Sequence, residues 1–244
     1  MNAVPEVIVT KNGRRVCNPC HTLGSMFSAK LLIDMGRAPS FCGVILAAGE
    51  SSRMGRPKAL LPWRGGTFLS IAIQTLTAYT DLVIVVAGKN AELLRPVVDA
   101  NAAFLVVNRQ PELGQFSSLQ AGLQEVLNRG RDAAIVTLTD RPPARSATLR
   151  HLQEEFLQRI VDDKTWALVP EFQGHHGHPI LIGREMIGAF LDAPSTSNAR
   201  EVEHANQSRI GYLPVDDPFT TANIDTPEDY DRLLATSPEI PVSR

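Results

Sequence analysis

The chain has little that would tie it to a membrane, a secretory route or a nucleic acid. Its 244 residues include only 3 cysteines and 6% aromatic side chains, and the net charge is −2 with a pI near 6.3. That near balance gives no bulk attraction to nucleic acid or anionic lipid, so cations that bind an anion must act locally. No stretch approaches the ~18 consecutive apolar residues of a membrane span. The N-terminus lacks a charged segment followed by an apolar core and a cleavage site, so a cytoplasmic protein is expected. No internal repeat or low-complexity tract is visible. Cysteine is sparse, yet Cys17-Asn18-Pro19-Cys20-His21 has the spacing of a c-type haem attachment site. That chemistry belongs to exported proteins, and no nearby Cys/His pair completes a zinc site. Two reduced thiols in an extension are expected.

What the chain does have is enough apolar content, 43% against 20% charged, to bury a large core as one α/β domain. Residues 1–40 hold no clear period and are read as an N-terminal extension, 41–236 as the domain, and 237–244 as a C-terminal tail. From residue 43 onward short β-branched runs alternate with amphipathic stretches, the pattern of βα units and a mostly parallel, Rossmann-like sheet. Strands are expected at 43–47, 82–87, 103–107, 133–138, 166–169, 179–182 and 210–214. Leu119, Leu123, Val126 and Leu127 make one helical stripe, with Gly130 where a C-terminal cap belongs, and Leu149, Leu152, Phe156 and Ile160 make another. A last helix is expected to start at Thr226-Pro227-Glu228-Asp229, a hydroxyl cap followed by proline and acids in the first turn.

In open sheets of this type ligands bind beyond the carboxyl ends of the strands, which directs attention to four loops. The first, Gly49 to Lys58, carries two glycines that free the backbone to approach a ligand, and Arg53, Arg56 and Lys58 supply charge suited to a polyphosphate. It matches neither the P-loop nor the dinucleotide G-x-G-x-x-G spacing. An ordinary strand-to-helix turn with solvated cations is the competing reading. In the second, Ser117 and Ser118 stand at a helix start whose free N–H groups suit a nucleotide, or else serve as plain caps. The third, Thr139 to Pro143, holds Asp140 just past an apolar strand, and the fourth, Asn223 to Asp225, holds Asp225 before a helix cap. Two carboxylates from different strand ends suit Mg²⁺, or Mn²⁺, which takes a couple of protein oxygens and fills its octahedron with water and phosphate. Three histidines in Gly174-His175-His176-Gly177-His178-Pro179 leave zinc binding, an exposed turn and a pocket lining all open.

The segment Leu46-Ala47-Ala48-Gly49-Glu50-Ser51-Ser52-Arg53-Met54-Gly55-Arg56-Pro57-Lys58-Ala59-Leu60-Leu61-Pro62 resembles the signature of the molybdenum cofactor nucleotidyltransferases, MobA-like NTP transferases, and most resembles their CTP:molybdopterin cytidylyltransferase branch. The resemblance covers about residues 43–235. It continues in Ser117-Ser118-Leu119-Gln120-Ala121-Gly122, in His178-Pro179 and in Ile224-Asp225-Thr226-Pro227. It implies a three-layer α/β/α sandwich of the nucleotide-diphospho-sugar transferase type. It also implies a Mg²⁺-dependent transfer of CMP from CTP to the phosphate of molybdopterin, with pyrophosphate released. By the same resemblance Leu46, Ala47, Ala48, Gly49, Ser51, Ser117 and Ser118 contact the nucleotide, Arg53 and Lys58 its phosphates, Asp140 and Asp225 the metal, and His178 the acceptor. Arg53, Lys58 and Asp140 are then the catalytic set. The implied partners are a small-molecule nucleotide, a pterin-phosphate acceptor and a molybdenum hydroxylase apoenzyme, with no nucleic acid or membrane. Two departures stand out: the family's usual Gly-Asp-Gln-Pro is here Thr139-Asp140-Arg141-Pro142, which changes the loop's shape and charge. Two other readings stay open: a sugar-phosphate or alcohol-phosphate nucleotidyltransferase, and a non-catalytic accessory protein that binds the molybdenum cofactor.

Overall fold

The structure is a computed structural model and describes residues 7–9, 15–17, 39–49, 54–160 and 165–236. Ser51, Arg53, Cys20 and His21, singled out above, lie outside the described residues, and of Cys17 only its strand is described. The chain divides into two compact units, Met1–Ala38 and Pro39–Arg244. In the first, strands β1 (Val7–Val9) and β2 (Arg15–Cys17) pair antiparallel with Val7 opposite Cys17.

The second unit is built on strands β3 (Phe41–Leu46), β6 (Leu82–Ala87), β7 (Phe104–Val107), β8 (Ala133–Leu138), β9 (Ala167–Phe172), β10 (His175–His176), β11 (Ile180–Gly183) and β12 (Ile210–Pro214), with a small β4–β5 hairpin (Pro62–Trp63, Gly66–Thr67) outside the sheet. The eight-stranded sheet runs β10-β9-β11-β8-β3-β6-β7, and β12 pairs with β9. The pairs β7·β6, β6·β3, β3·β8 and β9·β12 are parallel. Strand β11 runs antiparallel to both β8 and β9, and the short β10 antiparallel to β9, so the sheet is mostly parallel with two reversed strands toward one side. Strand β9 continues past the expected 166–169 through Pro170 to Phe172. Proline argues against a strand because it lacks a ladder donor, but here its carbonyl accepts from the Gly177 N–H at 2.9 Å.

Helices α1 (Phe68–Thr77), α2 (Ala91–Ala100), α3 (Gln115–Asn128), α4 (Ser146–Ile160), α5 (Arg184–Asp192), α6 (Ala199–Ala205) and α7 (Pro227–Thr236) follow from the amphipathic stretches. Successive side chains of β3 go to opposite faces. Val44 and Leu46 join a core with Leu123 and Val126 of α3, Ile187 of α5 and Val202 of α6. Ile45 joins the opposite core with Leu69 of α1, Leu94 of α2 and Leu152 of α4. These two cores make the three layers, with each fully buried Ile or Leu contributing about 1.5–3 kcal/mol. Among the described residues no helix is long and apolar enough to cross a membrane.

Three details position the elements around the strand ends. Helix α3 ends as its sequence predicts: Gly130 takes φ +66°, its N–H donates to Leu127 at 2.9 Å, and the Arg131 N–H donates to Val126 at 3.1 Å. This is the double bond of a glycine-terminated helix. Within the same helix Gly122 lies so close to the sheet that a Cβ there would stand 2.9 Å from Val44 and Val86 side chains. The absence of a side chain sets the depth at which α3 seats. A third apolar cluster gathers Met54, Leu61, Trp63, Phe68, Phe219, Ile224, Tyr230 and Leu233. It ties the loop after β3, the segment before Asp225 and helix α7 into one body.

Candidate active site

Strands β3 and β8 are parallel and in register, Leu46 beside Leu138, so their loops leave the sheet at the same edge. The Leu46 carbonyl accepts from the Thr139 N–H at 3.2 Å and the Thr139 hydroxyl at 3.3 Å, which fastens the two loops together. Threonine in place of the family's glycine therefore adds a side-chain bond between them. On the other flank the Ala47 N–H donates to Val86 at 2.8 Å, and Asn90 Nδ2 donates to the Ala47 carbonyl at 2.8 Å while its Oδ1 accepts from Gly88. Asn90 was not singled out from the sequence. Its signal was the Gly88-Lys89-Asn90 turn after β6, a further strand end beside the first.

Lys58 sits in a single 3₁₀ turn, Lys58–Leu60, and its Nζ donates to Asp225 Oδ1 at 2.6 Å. The Asn223 side-chain amide donates to the other oxygen of Asp225. Asp225 is placed from behind by the start of α7. The Asp225 and Thr226 N–H groups donate to the Asp229 carboxylate at 3.0 and 2.9 Å, and the Asp229 N–H donates back to the Thr226 hydroxyl at 3.3 Å. Those N–H bonds and the Arg232 guanidinium hold the Asp229 carboxyl down at about 2. The helix start anticipated from Thr226-Pro227-Glu228-Asp229 is present with this reciprocal cap.

Asp140 meets the same assembly, because its carbonyl accepts the Ile224 N–H at 2.8 Å. Burial pushes its carboxyl above the usual aspartate range; Arg141 and Lys58 oppose that rise, and the Asp225 charge adds to it. The two aspartates, distant in sequence, therefore share one electrostatic neighbourhood. Asp140 Oδ1 is buried without a hydrogen-bond partner among the described residues. A buried carboxylate oxygen without a donor is a costly state, and a hard divalent cation such as Mg²⁺ is a fitting occupant beside two carboxylates. Among the described residues no group of three or more His, Cys, Asp and Glu side chains is arranged to hold a metal, so water and phosphate oxygens would supply the remaining ligands.

Ser117 and Ser118 are buried, and both hydroxyls are engaged internally. Asn108 Nδ2 donates to them at 2.8 and 3.0 Å, and Ser117 Oγ contacts the Gly114 and Gln110 carbonyls at 2.8 and 3.1 Å. Neither serine caps α3, whose N-cap is Gly114 at φ +91°. They hold the Asn108–Gln115 segment in place beside the site.

The histidines separate. His175 and His176 form the short exposed strand β10, with the His176 ring stacked on Tyr212 at 4.0 Å, while His178 turns inward. The close approach of Gly177 permits this, since a Cβ there would stand 2.3 Å from the Thr220 carbonyl oxygen, and that carbonyl also accepts the His178 N–H at 2.8 Å. Burial drives the His178 imidazole down to about 3, helped by the Arg141 charge, and its Nδ1 has no partner among the described residues. His178 and Arg141 both line a cavity of about 960 Å³ that reaches from Leu46 and Gly114 to Tyr212, floored by Leu138, Val169 and Ile180.

A mostly parallel α/β sandwich with backbone-rich loops, a lysine and two aspartates at its carboxyl edge defines a nucleotide-binding protein of the transferase type. Residues 43–210 match the model of the MobA-like NTP transferase domain, and the chain belongs to that family of nucleotidyltransferases. It is 28% identical over 200 residues to the nicotine blue oxidoreductase of Paenarthrobacter nicotinovorans, covering 80% of this chain and 97% of that one. To the molybdenum cofactor cytidylyltransferase of Escherichia coli it is 26% identical over 193 residues, covering 77% and 92%. The crystal structure of the Mycobacterium tuberculosis protein Rv0371C in complex with manganese superposes with a TM-score of 0.64 at 26% identity, covering 81% of this chain and 100% of that one. The first of these names is a reminder that one fold carries more than one chemistry, so the activity has to be argued from the site.

Proposed function

We propose that residues 41–236 transfer CMP from CTP to the phosphate of molybdopterin and release pyrophosphate. The observation that carries this reading is the Lys58–Asp225 pair in the electrostatic neighbourhood of Asp140, whose Oδ1 has no donor among the described residues, at the edge where β3 and β8 end. In the reaction an acceptor phosphate oxygen forms a bond to the α-phosphorus, the bond from that phosphorus to the bridging oxygen breaks, and the electron pair leaves with pyrophosphate. A phosphate monoester has a second pKa of about 6, so the nucleophile is ionised at neutral pH and needs no protein base. The chain's task is then to align groups and balance charge. Backbone groups of Leu46, Ala47, Ala48 and Gly49 hold the nucleotide, braced by Asn90, and Lys58 with Arg53 draws charge toward the leaving pyrophosphate. Asp140 and Asp225 would hold Mg²⁺, which when bound polarises phosphoryl oxygens. His178, held neutral, lines the acceptor side. Similarity to the cytidylyltransferase across nearly all of that protein supports CTP and molybdopterin. The product would then pass to a molybdenum hydroxylase apoenzyme.

The test is pyrophosphate release from CTP, GTP, ATP and UTP with Mg²⁺, with and without molybdopterin. Release with CTP that depends on both molybdopterin and metal is expected. Release only with a sugar phosphate would replace the acceptor, and tight molybdopterin binding with no turnover on any nucleotide would make the protein a carrier.

A further inference from the structure

Arg141 stands where the family's usual loop has glutamine, and its side chain has a defined and incomplete set of partners. Its Nη1 donates to the Thr220 carbonyl at 3.3 Å, which anchors one arm of the guanidinium. Its Nε is buried with no hydrogen-bond partner among the described residues, and the nearest carboxylate oxygen, Asp140 Oδ1, is 3.9 Å away, beyond hydrogen-bond reach. A planar guanidinium fixed by one arm with a donor left over is suited to an anionic oxygen in a forked geometry. The side chain lines the large cavity, next to His178 and opposite the stacked His176–Tyr212 pair. Leu138, Val169, Ile180 and Phe190 line part of the wall, and Gln115, Ser197, Asn198, Arg200 and Glu203 make the rest polar.

We infer that Arg141 binds the phosphate of the acceptor, a phosphate monoester. The inference rests on the nucleotidyl-transfer reading for its place in a reaction, but the anion site can be measured without turnover. Arg141 is then a specificity residue that presents the nucleophile, separate from the metal-holding role of its neighbour. An arginine that served only to soften the charge of Asp140 would affect metal binding and kcat and leave acceptor recognition alone.

The experiment is calorimetric titration of the full chain, without nucleotide or metal, with phenyl phosphate, glucose 1-phosphate and phenol. Phenyl phosphate and glucose 1-phosphate should both bind, phenol should bind at least about tenfold more weakly, and Arg141→Ala should lose roughly ten- to a hundredfold in phenyl phosphate affinity, the scale of a lost charge-assisted bond. Arg141→Lys, which keeps the charge but not the fork, should fall between the two and controls for folding. In turnover Arg141→Ala should raise the KM for molybdopterin by a similar factor while the KM for CTP stays unchanged. Equal phenyl phosphate binding by wild type and Arg141→Ala, or phenol binding as tight as phenyl phosphate, would overturn the inference. Phenyl phosphate binding that depends on Arg141, in a protein that releases no pyrophosphate from any nucleotide, would leave the anion site standing and remove the transferase reading.

Discussion

Lys58 Nζ lies 2.6 Å from Asp225 Oδ1, a contact spanning 167 residues of sequence, with the two side chains only 11% and 26% exposed. At that burial the pair is more than a surface ion bridge, because each charge has given up most of its water and relies on the other. It fixes the lysine on the loop after β3 and holds the carboxylate in the electrostatic neighbourhood of Asp140. The geometry thus couples the cation expected to face the leaving group to a carboxylate expected to hold metal.

Lys58→Met and Asp225→Asn should each lower kcat by about 10²–10³, the scale of one preorganised electrostatic contact. Because each removal takes away one side of the same ion pair, the double variant should lose less than the product of the two single losses. Steady-state pyrophosphate release with a circular-dichroism check of folding tests this, and strictly multiplicative losses would show that the two act independently.

Asp140→Ala should lose nearly all turnover while remaining folded. Asp140→Asn sharpens the point: burial raises the carboxyl's pKa in the folded protein, so the charged form opposes folding at neutral pH. The asparagine variant should therefore match or exceed the wild-type melting temperature without metal, while its kcat falls about 10²–10³. Near-normal metal-dependent activity in either variant would remove Asp140 from the reaction.

Gly122 and Gly188, both in helices on the same face of the sheet, should respond in opposite directions to alanine. At Gly122 the new Cβ would press against Val44 and Val86 at 2.9 Å, whereas at Gly188 nothing lies within 4 Å. Gly122→Ala should destabilise by about 1–3 kcal/mol through overpacking. Gly188→Ala should stabilise by about 0.4–1 kcal/mol through the unfolded chain. Urea denaturation midpoints read both, and a stabilised Gly122→Ala would mean that α3 is free to shift outward.

His178 sets a pH dependence. Its folded pKa is depressed from 6.5 to about 3, so the unfolded chain takes up a proton first as pH falls. The stability contributed by the neutral imidazole is present above pH 6.5 and is lost progressively as pH drops toward about 3. His178→Gln should flatten the stability profile across that window, measured by denaturation midpoints from pH 7 downward. An unchanged slope would show that the ring is open to protons in the folded state.

Much of the scaffold was readable from local pattern. The runs 82–87, 133–138 and 210–214 became β6, β8 and β12 with the same limits; the first two are apolar stretches buried on both faces of the sandwich, while β12, buried only at Leu213, pairs with β9. Gly130 and Thr226 marked helix ends through capping chemistry that acts over a few residues. The β4–β5 hairpin, turning at Arg64 and Gly65 with φ +48° and +79°, was not foreseen, since its two-residue strands are too short for any period. The reversal of β11 was equally invisible, because a strand reads the same in either direction.

The sequence alone determined the residue types at the strand ends: a glycine-bearing loop with Lys58, an aspartate after β8, an aspartate before the last helix, and an arginine where glutamine is usual. Those are covalent facts, and their chemistry as phosphate and metal groups follows from charge and size. Only the tertiary structure decided which of them meet. The cluster of Met54, Leu61, Phe219, Ile224 and Tyr230 draws Lys58 onto Asp225, and the bond from Ile224 to the Asp140 carbonyl brings in the second carboxylate. It also turned Ser117 and Ser118 inward onto Asn108 and aimed His178 and Arg141 into one cavity. Such meetings depend on burying apolar surface contributed by distant segments, a long-range term that no local period along the chain encodes.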